Sequence, residues 1–78
     1  MNKYWLRVNY KNGCSEEKEA INYKIYDDMI TYTYYSEEMK DIVAGRFKFN
    51  MNIKVEYVEI YQDGRCIEIY DVMKGEII

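Results

Sequence analysis

The bulk of this 78-residue chain comes from isoleucine, valine and ten tyrosines, set against a single leucine (Leu6) and two alanines (Ala20, Ala44). β-Branched and aromatic side chains suit a pleated, half-buried surface, and the strong helix formers among the apolar types are scarce. Sheet is therefore the expected dominant structure. The chain contains no proline, so glycine, asparagine and aspartate have to make its turns. A chain this short buries only about 60% of the surface its unfolded form exposes, which sets the expectation of one small domain over residues 1–78 with a modest core.

Reading along the chain, Tyr4, Leu6, Val8 and Tyr10 alternate with Lys3, Trp5, Arg7 and Asn9, the pattern of a strand with one polar face. Lys11 to Glu19 holds an Asn12-Gly13 turn signal followed by a charged run. It reads as a solvated loop, with room for one helical turn capped by Ser15. Ala20 to Tyr35 reads as a hairpin turning at Asp27-Asp28. That turn pairs Ile25 with Ile30, Tyr23 with Tyr32 and Ile21 with Tyr34 on one face. It pairs Tyr26 with Met29, Lys24 with Thr31, Asn22 with Thr33 and Ala20 with Tyr35 on the other.

Ser36 followed by Glu37 and Glu38 has the chemistry of a helix N-terminus, and Met39, Ile42 and Val43 recur at i, i+3, i+4. A short amphipathic helix is predicted, ending at Gly45 or running on to Phe47, and Arg46 to Asn52 stays open between those readings. Ile53 to Val72 turns at Asp63-Gly64, the strongest hairpin signal in the chain. A two-residue loop there places Ile60 opposite Ile67 and Val58 opposite Ile69. The reverse face then holds Tyr61 opposite Cys66, Glu59 opposite Glu68 and Tyr57 opposite Tyr70. Residues 72–78 form a tail that is either frayed or docked.

These elements predict an α+β two-layer domain, a mostly antiparallel five-stranded sheet in the order β-β-β-α-β-β with one helix on one face. The predicted core is Leu6, Val8, Ile21, Tyr23, Ile25, Ile30, Tyr32, Ile42, Val43, Val58, Ile60, Ile67 and Ile69. Pairing of an edge strand with a second copy would cover an open sheet edge, so a homodimer is one expectation.

The formal charge is −3, from 14 acidic and 11 basic residues, which argues against direct nucleic-acid binding because phosphate contacts need a surplus of Lys and Arg. Met1, Asn2 and Lys3 lead straight into the first alternating segment. No apolar run reaches signal-peptide or membrane-spanning length, so a cytoplasmic protein is expected. Cys14 and Cys66 lack a CxxC pairing and there is no histidine to complete a zinc set. Two reduced thiols, no metal and no cofactor are the expectation. Without histidine or a glycine-rich phosphate loop, nothing points to catalysis.

Recognition is the better fit, because tyrosine supplies large amphipathic contact area at low entropic cost. The candidate partner-binding surface is the reverse face of the last hairpin, Tyr57, Glu59, Tyr61, Glu68 and Tyr70. Opposed carboxylates there call for a cation lying against the rings. A second candidate is the basic aromatic stripe Lys3, Trp5 and Arg7. In size, acidity and lack of catalytic groups the chain is similar, as a class, to the small inhibitors that phages and mobile elements use, anti-CRISPR proteins among them. That likeness implies occupation of an Arg/Lys-rich surface of a nucleic-acid-handling complex. Two other expectations are a small oligomeric protein that sequesters a nucleotide or other small ligand, and a structural or regulatory accessory subunit.

Overall fold

The computed structural model describes residues 3–78, and among these the regular structure is entirely β. Met1 and Asn2, where the leaderless start was read, lie outside the described residues. Eight strands follow in order: β1 (Tyr4–Tyr10), β2 (Ser15–Ala20), β3 (Asn22–Ile25), β4 (Met29–Ser36), β5 (Asp41–Lys48), β6 (Val55–Gln62), β7 (Arg65–Asp71) and β8 (Glu76–Ile77). They form two antiparallel sheets, a five-stranded one ordered β2-β1-β6-β7-β8 and a three-stranded one ordered β3-β4-β5. The sheets share one core. Leu6, Val8, Val58, Ile60 and Tyr70 enter it from the larger sheet and Ile30 and Tyr32 from the smaller, with Ala20, Phe49 and Val55 closing it. Burying each of the larger side chains stabilises by about 1.5–3 kcal/mol before conformational entropy is deducted.

The predicted helix is absent, and the α+β expectation is corrected to an all-β sandwich. Ser36 does cap a turn, since Met39 N donates to Ser36 Oγ at 3.2 Å. Lys40 then adopts φ 54°, which ends the turn and sends the chain back as β5. In β5, Val43 and Phe47 face inward and Ile42 outward, so two of the residues that suggested a helical stripe also satisfy a strand. Gly45 is needed for that strand. Tyr32 lies opposite it, and a Cβ at Gly45 would sit 2.7 Å from Tyr32 Cζ and Oη. The ring covers the glycine backbone and stacks on Phe47 at 5.5 Å, an arrangement that compensates for a glycine in a strand.

The charged run after Asn12-Gly13 is also a strand. Gly13 takes φ 90° in the turn, and β2 then pairs along β1 with Trp5 opposite Glu19 and Arg7 opposite Glu17. Lys3 Nζ meets Glu19 Oε1 at 2.9 Å. Cross-strand charge pairing and an edge position account for a strand with five exposed residues. At Ile21 the same chain bends from one sheet to the other, donating its N–H to Thr33 O at 2.8 Å. Ala20 therefore pairs with Tyr4 rather than Tyr35. The Asp27-Asp28 turn forms as read, with Tyr26 N bonded to Met29 O at 2.8 Å and Tyr23 opposite Tyr32.

The last hairpin begins as read and then departs. Asp63 (φ 53°) and Gly64 (φ 77°) make a two-residue turn of the type that matches strand twist, and Tyr61 stands opposite Cys66. Ile60, however, stands opposite Glu68, so Ile67 is the extra residue of a β-bulge. Every later residue of β7 changes face. Glu59 pairs with Ile69, Val58 with Tyr70 and Tyr57 with Asp71, which overturns the expected Glu59/Glu68 and Tyr57/Tyr70 pairs. The shift buries Tyr70 against Phe49, with ring centroids 5.9 Å apart, and leaves Ile67 half-exposed at the surface. Burial of one large aromatic ring outweighs burial of an isoleucine here. Of the predicted core, Ile42 and Ile67 are exposed and Ile21, Tyr23, Ile25, Val43 and Ile69 half-buried. The tail is docked, as Glu76 and Ile77 pair with β7 and Ile78 N donates to Ile69 O at 2.8 Å.

Candidate functional site

The outer face of the five-stranded sheet is a grid whose rows follow from strand register. One row runs Glu19, Trp5, Tyr61, Cys66; the next runs Glu17, Arg7, Glu59, Ile69; the third runs Ser15, Asn9, Tyr57, Asp71. Three of the five residues first assigned to the last hairpin, Tyr57, Glu59 and Tyr61, thus lie beside the stripe assigned to the first strand, Trp5 and Arg7, with Lys3 at its start. Two separate candidate surfaces become one. The other two residues leave it: Glu68 faces the second sheet, where its carboxylate accepts a hydrogen bond from Tyr23 Oη at 3.3 Å, and Tyr70 is 5% exposed.

Glu59 is held in place from two sides. It accepts from Asn9 Nδ2 at 3.0 Å and from Tyr61 Oη at 2.6 Å, and Arg7 is its cross-strand neighbour on β1. The Tyr61 phenol is pushed above its usual range, first by that hydrogen bond, then by burial and the Glu59 charge, with Arg7 opposing. Arg7 Nε has no hydrogen-bond partner and stands 3.9 Å from Glu17 Oε1. The cation expected to relieve clustered carboxylates is therefore present within the chain, between Glu17 and Glu59 rather than between Glu59 and Glu68.

Beside this network the face opens into a shallow depression of about 300 Å³. It is lined by Tyr4, Trp5, Tyr61, Lys3, Glu19 and the Asp63-Gly64 turn. Trp5, the single tryptophan, is 42% exposed there. Three aromatic side chains flanked by carboxylates suit an organic cation or a flat polar ring. A larger hollow of about 560 Å³ lies where β2 passes toward β3. Its charged lining, Lys3, Lys18, Glu19 and Glu37, is balanced in sign, and Lys18 already lies 5.3 Å from the Tyr34 ring centroid.

Reading the sequence put Asn9 on the polar face of the first strand but missed Glu17, Glu19 and Asp63 as members of this face. Glu17 and Glu19 were legible in principle: folding the chain at Asn12-Gly13 sets Arg7 against Glu17 and Trp5 against Glu19, a complementary register. Cys14 and Cys66 are exposed and unpaired. Among the described residues no three metal-ligating side chains come together, and no helix is long and apolar enough to cross a membrane.

These features define a small antiparallel β-sandwich with an acidic, aromatic sheet face. Comparison with protein-family models, curated proteins and solved structures finds no match to the chain.

Proposed function

We propose that the chain is a non-catalytic protein-binding module of the cytoplasm whose five-stranded sheet face takes arginine or lysine side chains of a partner. The observation behind this reading is the convergence of Trp5 and Tyr61 in one depression rimmed by Glu19 and Asp63, with Glu17 and Glu59 alongside. A guanidinium entering it would lie against an aromatic face and near carboxylates, a combination that strengthens cation–π attraction as water leaves. Excess acid over the face steers a basic partner toward it, and the aromatic pair supplies affinity. The partner of choice is an Arg/Lys-rich nucleic-acid-binding surface of a bacterial complex, which the module would occupy as a phage or mobile-element inhibitor does.

Trp5 is a built-in reporter, being the chain's single tryptophan. Titration of its fluorescence with an arginine-rich peptide should give a saturable change that weakens as salt rises. The Tyr61→Ala variant should bind more weakly. A flat response to the peptide together with saturable quenching by a mononucleotide would replace this reading with ligand sequestration. That second reading draws on the same depression, which lies at the small end of ligand pockets.

A further inference from the structure

Sheet edges expose unpaired N–H and C=O groups, and proteins keep them from pairing with other chains by shortness, charge, bulges or covering elements. Three of the four edges here are managed in that way. β2 is charged along most of its length, β3 has four residues and β8 has two. The fourth, β5, has eight residues, pairs with β4 on one side only, and runs in unbroken register from Asp41 to Lys48. Its first half after Asp41 is Ile42-Val43-Ala44-Gly45, with no charge, no proline and no bulge.

The hydrogen-bond phase of β5 says which of its groups are free. Phe49 N donates to Asp28 O at 2.9 Å, so by alternation Asp41, Val43, Gly45 and Phe47 bond toward β4. Ile42, Ala44, Arg46 and Lys48 then direct their backbone groups outward, where the Ile42 N–H donates to the side chain of its neighbour, Asp41 Oδ1, at 2.8 Å. We infer that this edge pairs antiparallel with β5 of a second copy, about a two-fold axis through Gly45. In that register Ile42 meets the partner's Lys48 and Ala44 meets the partner's Arg46, each twice over. The four outward residues form about eight backbone hydrogen bonds, two per pair, with the Ile42 N–H exchanging its exposed bond to Asp41 Oδ1 for the partner strand. A register centred on Ala44 leaves Lys48 without a strand partner.

Side chains agree with the same centre. Val43 and Phe47, half-buried at the rim of the core, come opposite one another on the inner face, at close-approach positions that favour apolar contact. Gly45 meets its own copy at the axis, where the two Tyr32 rings already cover the inner side. On the outer face Arg46 and Lys48 oppose Ala44 and Ile42, so no like charges are directly paired and the long stems lie over apolar neighbours. A two-fold axis normal to the sheet leaves both five-stranded sheets on the same side. The dimer therefore presents two Trp5–Tyr61 depressions in one direction, a bivalent arrangement. The pairing itself does not depend on what those depressions bind.

Ala44→Pro tests this edge selectively, because the N–H it removes faces outward and takes no part in the β4–β5 ladder. Sedimentation across a concentration series should show a monomer–dimer equilibrium for the native chain. Ala44→Pro should weaken dimerisation by at least about 100-fold while keeping the circular-dichroism spectrum. Hydrogen exchange should add an alternating pattern. The amides of Ala44, Arg46 and Lys48 gain protection as concentration rises, while those of Val43, Gly45 and Phe47 are protected throughout. A native chain that stays monomeric at millimolar concentration would overturn the inference. So would a dimer that Ala44→Pro leaves intact, or edge amides protected only when a different protein is added.

Discussion

The outer faces of the two sheets have opposite character. On the larger sheet Glu17, Glu19, Glu59, Asp71 and Glu76 outnumber Lys3 and Arg7, and the charges interlock with Asn9, Tyr61 and Trp5. On the smaller sheet the outward positions include Lys24, Thr31, Thr33, Arg46 and Lys48, and none of the outward strand positions is acidic. The two faces carry charge of opposite sign and equal size, so the chain's net charge of −3 describes neither. Composition reports the total, and only the strand registers sort it into faces. Steering of a charged partner follows the local field more than the sum.

Several substitutions test that contrast. The largest effect concerns which face β7 offers. Tyr70→Ala should lower unfolding free energy by about 3–5 kcal/mol. Ile67→Ala should change it by no more than about 0.5 kcal/mol, as read from denaturant melts. The reverse ranking would restore the unbulged hairpin. Next, Trp5→Ala combined with Tyr61→Ala should weaken binding of an arginine-rich peptide by about 30-fold or more, measured by calorimetry. Lys24→Ala with Arg46→Ala on the opposite face should leave it within about two-fold.

Gly45→Ala should destabilise by about 1–3 kcal/mol because the Tyr32 ring must move. Tyr32→Leu in the same background should recover part of that loss. Charge reversal at Glu17 and Glu19 should slow association by roughly 10-fold at low salt and much less at high salt, as stopped-flow rates would show. The smallest effect is alkaline. The Tyr23 phenol, pushed up to about 12 by burial and by Glu68, keeps its proton longer in the folded chain than in the unfolded one. The unfolded state then binds fewer protons, so stability falls as pH rises from about 10 to about 12. Tyr23→Phe should flatten that part of the pH–stability curve.

How far the fold was readable follows from where local and distant forces agreed. Tyr4 to Tyr10 and the Asp27-Asp28 hairpin were legible because alternation and turn chemistry pointed to the same register. Asp63-Gly64 gave the turn and the Tyr61–Cys66 pair, but the bulge at Ile67 follows from the room for Tyr70 beside Phe49, a long-range contact that alternation does not encode. Ser36 to Phe47 misled because Val43 and Phe47 fit both a helix stripe and a strand face. The deciding partner, Tyr32 lying over Gly45, comes from another strand. The candidate site was half legible. Trp5, Arg7, Tyr57, Glu59 and Tyr61 were named from the sequence, but their meeting on one face needed the pairing of β1 with β6.

The most direct measurement of the central claim is a titration of isotope-labelled protein with an arginine-rich peptide, followed by nuclear magnetic resonance. The indole N–H of Trp5 and the amides of Tyr61, Glu19 and Asp63 should shift together and saturate, while Lys24, Thr31 and Arg46 on the other sheet stay fixed. Saturable shifts confined to the smaller sheet, or none at the Trp5 indole, would contradict the account.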